Sequence, residues 1–276
     1  NMIVYVTLFD KNYIDRAVAL SKSFARHCSR DILILGCLDC DSEKLFRKLN
    51  LASTSVASVD NFICSTLSKL RKERSVAEFC WTCKPFLMQH VMQYYPNAEW
   101  VVYLDADSLI FGNISTVLYE YNHFDCFFTP HNFHHVFRDL ESSVGSYNAG
   151  FVAFRNTKNG LQALSEWRYM CESSVSATPN DQGYGDQKYL EELASHWNSV
   201  SELVHKGINA APWNIARYQI SKKIDKVMLD DQPLLFFHFQ GFKRINRNFN
   251  LLYKGTFFLP KKVREYIYSP YCRELQ

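Results

Sequence analysis

The sequence predicts an α/β protein in which helices flank a mostly parallel central sheet. In the first half of the chain, short apolar runs rich in β-branched residues alternate with segments of helical periodicity. The predicted strands are residues 3–8, 32–36, 54–59 and 100–104, and the helices between them are residues 13–24, 42–49 and 85–95. Strands separated by helices pair in parallel, and a chain of 276 residues that is 47% hydrophobic can bury one continuous core.

The second half of the sequence is less regular. Its pattern predicts strands at residues 147–155 and 233–239, helices at 160–171 and 186–193, and a polar loop at 173–185. No stretch rich in Pro, Gly or Ser divides the chain. We therefore expect one domain over residues 1–258, followed by a C-terminal tail over residues 259–276.

The predicted tail mixes basic and aromatic residues, from Phe257 and Phe258 through Lys261, Lys262 and Tyr268. Such a mixture is typical of segments that lie at a membrane interface, which would make the protein peripheral on the inner membrane face. A helix packed on the domain, with a solvated basic face, fits the same residues equally well.

Charge and cysteine content limit the classes of function. The formal net charge of +3 does not indicate a nucleic-acid partner. The sequence carries nine cysteines, its first residues lack the basic region of a signal peptide, and no apolar run is long enough to span a bilayer. We expect a cytoplasmic protein.

Two Cys-x-x-Cys pairs, Cys37/Cys40 and Cys80/Cys83, together imitate a four-cysteine zinc site. About 40 residues separate the pairs, against ~15–20 in the usual zinc ribbon. The second pair also resembles a redox motif, but no small βαβ domain surrounds it. The cysteines are interpreted as structural or incidental.

The centre of the predicted site is Asp105-Ala106-Asp107, which follows directly on the apolar strand 100–104. Strand geometry points residues two apart to the same side, and oxygen ligands at that spacing suit Mn²⁺ or Mg²⁺. Carboxylates at a strand end also serve as helix caps or turn residues, so the motif alone leaves both readings open.

A second polar cluster follows the strand 233–239. His238 offers an imidazole to the same cation, Gly241 permits close approach of the backbone to a phosphate, and Lys243 adds a positive charge. A core histidine beside a surface lysine is the alternative. The accompanying Asp-x-Asp favours the metal site Asp105, Asp107 and His238.

Six segments, in order along the chain, then resemble a known family. They are Val6-Thr7-Leu8 with Asp10 and Tyr13, Lys84, Asp105-Ala106-Asp107, Tyr147-Asn148-Ala149-Gly150, Gly185-Asp186-Gln187 and His238-x-x-Gly241-x-Lys243. Together they are similar to the retaining GT-A glycosyltransferases, which include glycogenin and the bacterial lipopolysaccharide galactosyl- and glucosyltransferases. Residues 148–155, 186–190 and 205–214 further resemble bacterial nucleotide-diphospho-sugar transferases.

The resemblance implies a single GT-A (Rossmann-like) domain and roles for its residues. Thr7, Leu8, Asp10 and Tyr13 match the loop around the nucleotide base, and Tyr13 could stack on that base. Lys84, Gly241 and Lys243 match phosphate contacts, and Asn148 and Ala149 match the segment that faces the donor sugar. Asp186 and Gln187 match the pair beside the reacting carbon, as weak nucleophile or charge stabiliser. The sequence departs from the family at Ala149, usually Ser, and at Lys243-Arg244-Ile245, usually Lys-Pro-Trp.

The function that the resemblance implies is metal-dependent transfer of a sugar from a UDP-linked donor to a glycan or glycolipid acceptor with retention, in surface polysaccharide or lipopolysaccharide synthesis. A sugar-1-phosphate nucleotidyltransferase is one alternative, but it needs a Gly-rich phosphate loop, and residues 8–12 contain no glycine. A non-catalytic carbohydrate-binding protein is the other, and it has no need of the Asp-x-Asp, His238 and Lys243 together.

Overall fold

A computed structural model describes residues 2–121, 123–178, 184–246 and 250–276. Its strands, in chain order, are β1 Met2–Phe9, β2 Ile32–Cys37, β3 Thr54–Ser58, β4 Ala98–Leu104, β5 Ser108–Ile110, β6 Cys126–Pro130, β7 Tyr147–Arg155, β8 Val200–Glu202, β9 Ile220–Lys223, β10 Lys226–Leu229, β11 Gln232–Pro233, β12 Phe236–His238, β13 Lys243–Arg244 and β14 Asn250–Leu251. The first four contain the strands that the sequence predicts between residues 3 and 104.

The α-helices begin with α1 Ile14–His27, α2 Cys40–Leu49, α3 Ser65–Glu73, α4 Val76–Tyr94, α5 Ser115–Leu118, α6 Glu141–Val144, α7 Lys158–Ser173 and α8 Tyr189–His196. The chain ends in a helical stretch made of Lys261–Val263, a π-helical turn Arg264–Tyr268, and Ser269–Glu274. This stretch is called the C-terminal helix below. Among the described residues, no helix combines the length and apolar character needed to cross a bilayer.

The central sheet has seven strands in the order β3-β2-β1-β4-β7-β6-β8. The pairs β2/β3, β1/β2, β1/β4 and β6/β8 are parallel, whereas β7 runs antiparallel to both of its neighbours. The predicted α/β architecture, a mostly parallel sheet flanked by helices, is confirmed.

Alternation along β1 divides the core between the two faces of the sheet. Val4, Val6 and Leu8 pack in the cluster that contains residues of α4, α7 and α8. Ile3 and Tyr5 point the other way, into the cluster with α1. Since successive strand side chains point to opposite faces, a strand buried on both sides reads as the continuous apolar run seen in the sequence.

Helix α4 begins nine residues earlier than the sequence analysis predicts. Pro85 was interpreted as the first residue of the helix, but a capping box precedes it, in which Ser75 and Glu78 satisfy each other's backbone N–H groups. Pro85 therefore lies inside α4, where its ring is buried. As a consequence Lys84 is a helical residue and not a residue ahead of the helix.

Two other element boundaries in the second half were wrong. The predicted helix 186–193 begins only at Tyr189, so Asp186 and Gln187 lie in the turn before α8. The predicted strand 233–239 is broken into β11 and β12, because the N–H groups of Leu235 and Phe236 both bond the carbonyl of Gly207. Of the predicted polar loop 173–185, residues 179–183 lie outside the described part of the chain.

The C-terminal helix packs on the domain. Val263, Ile267, Tyr268 and Tyr271 are buried in a third apolar cluster together with Phe237 and other residues near β12. These side chains are occupied by the core, so the expected membrane contact through this segment finds no support in the structure. Of the two readings of the segment, the helix packed on the domain fits the observed contacts.

The fold collects polar side chains at one edge of the sheet. Asp10 follows the end of β1, Asp105 follows the end of β4, and His131 follows the end of β6. Asn148 lies near the start of β7, which runs in the opposite direction and so begins at the same edge. The carboxyl edge of a parallel sheet is where ligands bind in open α/β folds, and the candidate site lies there.

Candidate active site

A cavity of about 550 Å³ opens at the carboxyl edge of the sheet. Most of the residues that the sequence analysis proposed for the site line this cavity. They are Leu8, Asp10, Tyr13, Lys84, Asp105, Asp107, Asn148, Ala149, Asp186, Gln187 and His238.

The floor of the cavity holds the proposed metal ligands. β12 pairs with β5 so that His238 lies opposite Ser108, the residue after Asp107. Nε2 of His238 lies 3.2 Å from Oδ1 of Asp107 and 3.6 Å from Oδ2 of Asp105. One potential ligand atom from each residue lies within 4.8 Å of the other two.

The charges of this cluster depend on one another. Burial alone would lower the pKa of His238, but the charge and hydrogen bond of Asp107, with a contribution from Asp105, raise that pKa above its ordinary value. Burial would raise the pKa of Asp107, and the adjacent His238 imidazole lowers it instead. Without a cation, the imidazole compensates the charge of Asp107.

The residues fit a divalent cation. Two carboxylates and one imidazole form an oxygen and nitrogen donor set that suits Mn²⁺ and also Mg²⁺. Nδ1 of His238 is buried without a hydrogen-bond partner among the described residues. A Cβ at Gly150 would lie within 2.8 Å of His238 Nδ1, Asp105 Oδ2 and Asn148 Oδ1, so the glycine keeps this space open.

Lys84 crosses the cavity wall from α4 to the carboxylates. Its Nζ lies 3.3 Å from Oδ1 of Asp105 and 3.1 Å from Oδ2 of Asp186, and it donates to the carbonyl of Ala149 at 3.3 Å. The ammonium also lies over the ring of Tyr103, 4.6 Å from its centroid. Burial would lower the pKa of Lys84, but the two carboxylates raise it, so the side chain stays protonated at neutral pH.

Asp186 is a buried carboxylate with an unusual proton affinity. Burial raises its pKa to about 6, against the lowering effect of Lys84, and the charge of Asp105 adds to the rise. The indole N–H of Trp167 donates to the Asp186 carbonyl at 2.9 Å and fixes the turn before α8. A carboxyl group that titrates near neutral pH in a cavity is a candidate for a functional role.

Asn148 joins β7 to two other parts of the cavity wall. Its Oδ1 accepts from the Gly150 N–H at 2.9 Å and from Nδ2 of Asn209 at 3.0 Å, while its Nδ2 donates to Oε1 of Gln187 at 3.2 Å. Gln187 in turn donates to the carbonyl of Val144 at 2.7 Å. The predicted sugar-facing Asn148 and catalytic Gln187 are thus one hydrogen-bonded unit.

The opposite end of the cavity is formed by the segment after β1. Tyr13 is 41% exposed, and the guanidinium of Arg16 lies 4.6 Å from its ring centroid. The charge of Asp107, followed by burial, raises the pKa of Tyr13 to about 12. Both oxygens of the Asp10 carboxylate accept from Asn12, so this side chain shapes the turn. An aromatic ring backed by a cation is suited to stacking on a planar base.

Three proposed site residues do not line the cavity. Thr7 is fully buried in β1. Gly241 has a φ of +80° and lies against Tyr253, so its missing side chain makes room for that ring. Lys243 is exposed in β13, where it pairs with Leu251 of β14. The predicted phosphate contacts of Gly241 and Lys243 stay predictions.

Sequence reasoning missed part of the cavity wall. Trp213 packs edge-to-face on both His238 and His131, with ring centroids 5.3 and 5.4 Å apart. His131, which follows β6, is buried, and burial lowers its pKa to about 4. The only sequence signal for Trp213 was its place in the Ala211-Pro212-Trp213-Asn214 motif, which carried no role. Other lining residues that the sequence did not suggest are Trp81, Tyr184, Gln240 and Phe257.

The cysteines do not form a zinc site in the structure. All nine are free, and the two Cys-x-x-Cys pairs do not come together: Cys83 lies in the cluster with α4, and Cys37 lies in the cluster on the other face of the sheet. Burial raises the pKa of Cys37 to about 12, and it likewise raises the pKa of Cys80, so these thiols are poorly ionised.

Comparisons with known proteins agree with this architecture. The uncharacterized protein YfnD of Bacillus subtilis (strain 168) is 27% identical over 275 residues, which cover 99% of this chain and 88% of YfnD. The galactosyltransferase LgtC, solved in complex with donor and acceptor sugar analogs, is 16% identical with a TM-score of 0.54 over 86% of this chain and 87% of LgtC. Mouse xyloside xylosyltransferase 1 is 12% identical with a TM-score of 0.51, over 86% of this chain and 97% of the mouse chain.

The two solved structures confirm the predicted GT-A fold. The family model described as "Glycosyl transferase family 8" matches residues 4–201, which are most of the chain. The matched residues include most of β1, all of α4, the Asp-x-Asp and the Asp186-Gln187 turn. The chain therefore belongs to glycosyl transferase family 8.

Proposed function

We propose that this glycosyltransferase moves a sugar from a UDP-linked donor to a glycan or glycolipid acceptor, with retention and with Mn²⁺ or Mg²⁺ as cofactor. We assign it to surface polysaccharide or lipopolysaccharide synthesis in the cytoplasm. Family membership supports the reaction class, and the structure of LgtC in complex with donor and acceptor sugar analogs supports the two kinds of substrate. Nine unpaired cysteines are in keeping with a reducing compartment.

The observation that carries the proposal is the cluster of Asp105, Asp107 and His238 on the floor of the cavity. When bound there, a divalent cation offsets the negative charge that develops on a departing diphosphate. Lys84, held protonated beside Asp105, adds a second positive charge at the same place. The donor diphosphate would lie over this group, with its base toward Tyr13.

The proposed positions of Asp186 and Gln187 then follow from the hydrogen bonds around them. Lys84 links Asp105 to Asp186, so the carboxylate lies one ammonium away from the metal ligands. Asn148 links Gln187 to Gly150 at the cavity floor. We assign Asp186 to stabilising positive charge on the sugar, and Gln187 with Asn148 to holding the sugar ring.

The test is calorimetry of UDP binding in the presence of Mn²⁺, combined with detection of UDP released from a panel of UDP-sugars. The wild-type protein is expected to bind UDP only with the cation and to release UDP from at least one donor. Asp107→Asn removes one ligand charge and is expected to lower the affinity for UDP with Mn²⁺ by at least tenfold while the melting temperature stays similar.

Asp225→Asn is the matched control, because Asp225 is exposed in the turn between β9 and β10. It is expected to bind UDP and Mn²⁺ as the wild type does. If Asp107→Asn and Asp225→Asn bind UDP with equal affinity, the Asp105, Asp107 and His238 cluster is not the metal site.

A further inference from the structure

A second depression adjoins the cavity at Phe133. It measures about 330 Å³, and the described residues that line it include four basic side chains and no carboxylate. We call it the basic groove. It is formed by Phe133, His134, His135, Arg138, Ala216 and Arg217.

The two arginines of the basic groove have no carboxylate partner. Within the described residues, six other arginines form ion pairs, but Arg138 and Arg217 do not. Nη1 of Arg217 donates to the carbonyl oxygens of Asn132 and Phe133 at 2.9 and 3.4 Å, which holds its guanidinium against the loop after β6. Both arginines are exposed at the surface. An unneutralised, partly fixed pair of guanidinium groups favours an anionic ligand.

A continuous wall of rings connects the basic groove to the metal cluster. His238 contacts Trp213, Trp213 contacts His131 at 5.4 Å, and His131 stacks on Phe133 with centroids 4.7 Å apart. Phe133 lines both the cavity and the groove. A molecule that fills the cavity beside Phe133 can therefore extend into the groove that Arg138 lines.

The chemistry of the groove separates it from the donor site. A nucleotide diphosphate bound through a cation needs carboxylates, and these lie on the cavity floor. Among the described residues, the groove offers the guanidinium groups of Arg138 and Arg217, which suit a phosphate or carboxylate group without a metal.

We propose that the acceptor carries an anionic group, a phosphate or a carboxylate, and that the basic groove binds this group while the acceptor's sugar enters the cavity across Phe133. This inference rests on the proposed function, since it assumes that the cavity is the transfer site. It narrows the acceptor from any glycan to an anionic one.

The probe is glucose 6-phosphate, compared with neutral glucose, titrated into protein saturated with UDP and Mn²⁺ so that the donor diphosphate site is filled. The wild-type protein is expected to bind glucose 6-phosphate at least tenfold more tightly than glucose, and added salt should weaken the preference. Arg138→Gln is expected to remove about tenfold of this affinity, the loss typical of one charge-assisted hydrogen bond. Arg138→Lys keeps the positive charge and should retain part of the affinity for glucose 6-phosphate.

Arg30→Gln is the matched control. Arg30 is exposed, and it lies just before β2, at the opposite edge of the sheet from the groove. The Arg30→Gln substitution removes one positive charge outside the groove. The variant should bind glucose 6-phosphate as the wild type does. Equal affinities of Arg138→Gln and Arg30→Gln, or no preference of the wild type for glucose 6-phosphate over glucose, would overturn the proposal.

Co-sedimentation with phosphatidylglycerol vesicles distinguishes a membrane headgroup as the source of the anion. Binding to vesicles that depends on Arg138, without any Arg138-dependent binding of glucose 6-phosphate, would replace the acceptor proposal with a membrane contact. Binding of UDP with Mn²⁺ is recorded for every variant. Failure of that binding in the wild type would reject the proposed function, whereas failure of glucose 6-phosphate binding alone would reject only the groove.

Discussion

The ion pairs of Lys84 show how single residues set the properties of this site. A buried ammonium between two carboxylates is costly to desolvate, and its attraction to both carboxylates repays that cost only while all partners are present. Burial raises the pKa of Asp186 to about 6, although the charge of Lys84 lowers it. The carboxyl group therefore changes charge near neutral pH at the wall of the cavity.

The raised pKa of Asp186 predicts a pH-dependent stability difference in Asp186→Asn. Between about pH 4 and 6 the folded protein binds more protons at this carboxyl than the unfolded chain does, so its free energy of unfolding falls as pH rises. Asparagine cannot ionise and loses this dependence. The free energy of unfolding of the variant, minus that of the wild type, should increase by roughly 3 kcal/mol between pH 4 and pH 7.

Urea unfolding at several pH values measures this difference. Asp225→Asn, an exposed carboxyl in a turn, serves as the control and should show a flat difference over the same range. A flat difference for Asp186→Asn as well would show that Lys84 keeps the carboxyl ionised throughout.

At the residue scale, the sequence predicted which residues form the candidate site but not which of them interact with one another. Asp105, Asp107 and His238 could be proposed from strand ends, because an apolar run that stops at polar residues marks an edge of the sheet. The contact of Lys84 with Asp186 joins residues about a hundred positions apart through α4 and the turn before α8. Such a contact depends on tertiary packing, as does the pKa of Asp186.

At the scale of elements, α4 decides where Lys84 lies. The helix runs through Pro85, which has no backbone N–H to donate, and it starts two turns earlier at the Ser75 and Glu78 capping box. The predicted helix 85–95 begins at the proline, which is nine residues too late. Packing of Phe86, Leu87 and Val91 on β1 and its neighbours compensates for the lost hydrogen bond.

Removing the cap should therefore cost stability without altering chemistry. Ser75→Ala leaves the Glu78 N–H without its side-chain acceptor and should lower the free energy of unfolding by about 1 kcal/mol. UDP binding with Mn²⁺ should stay unchanged, since Lys84 lies more than two turns further along the helix.

Ser173→Ala provides the comparison in thermal unfolding, because Ser173 is an exposed serine at the end of α7 whose hydroxyl only bonds the Tyr169 carbonyl in its own helix. It should change stability by less than about 0.5 kcal/mol. If both serine variants unfold like the wild type, the cap does not hold the start of α4.

At the scale of the whole molecule, the two halves differ in how far sequence reasoning reaches. β1 to β4 are parallel strands, and local patterns mark each of them: β1, β2 and β4 are apolar runs, and β3 alternates weakly. Downstream, β5, β8 and β12 are three residues long and pair with distant segments, so no local period marks them. β12 lies within the predicted strand 233–239, which is longer than the observed one. His238 could therefore be proposed from the sequence although the bounds of its strand were wrong.

The C-terminal helix packs against β12 and the residue that follows it. Tyr271 stacks on Phe239 with ring centroids 3.7 Å apart, and Tyr268 packs edge-to-face on Phe237 and Phe239. These two phenylalanines flank His238 in the chain. The helix therefore packs behind β12, the strand that carries the proposed metal ligand His238.

Tyr271→Ala should consequently weaken both the fold and the metal site. Loss of a fully buried aromatic side chain costs about 3–5 kcal/mol, and relaxation of Phe239 into the resulting space should shift His238 and lower the affinity for UDP with Mn²⁺ severalfold. Phe258→Ala is the control, because Phe258 is 69% exposed just before the same helix. This substitution should change neither the stability nor the affinity for UDP.

Calorimetric unfolding and UDP titration of both variants test this prediction. A large loss of stability in Tyr271→Ala with wild-type UDP affinity would show that the helix stabilises the fold without positioning His238, and a loss in Phe258→Ala alone would reverse the assignment of the buried face.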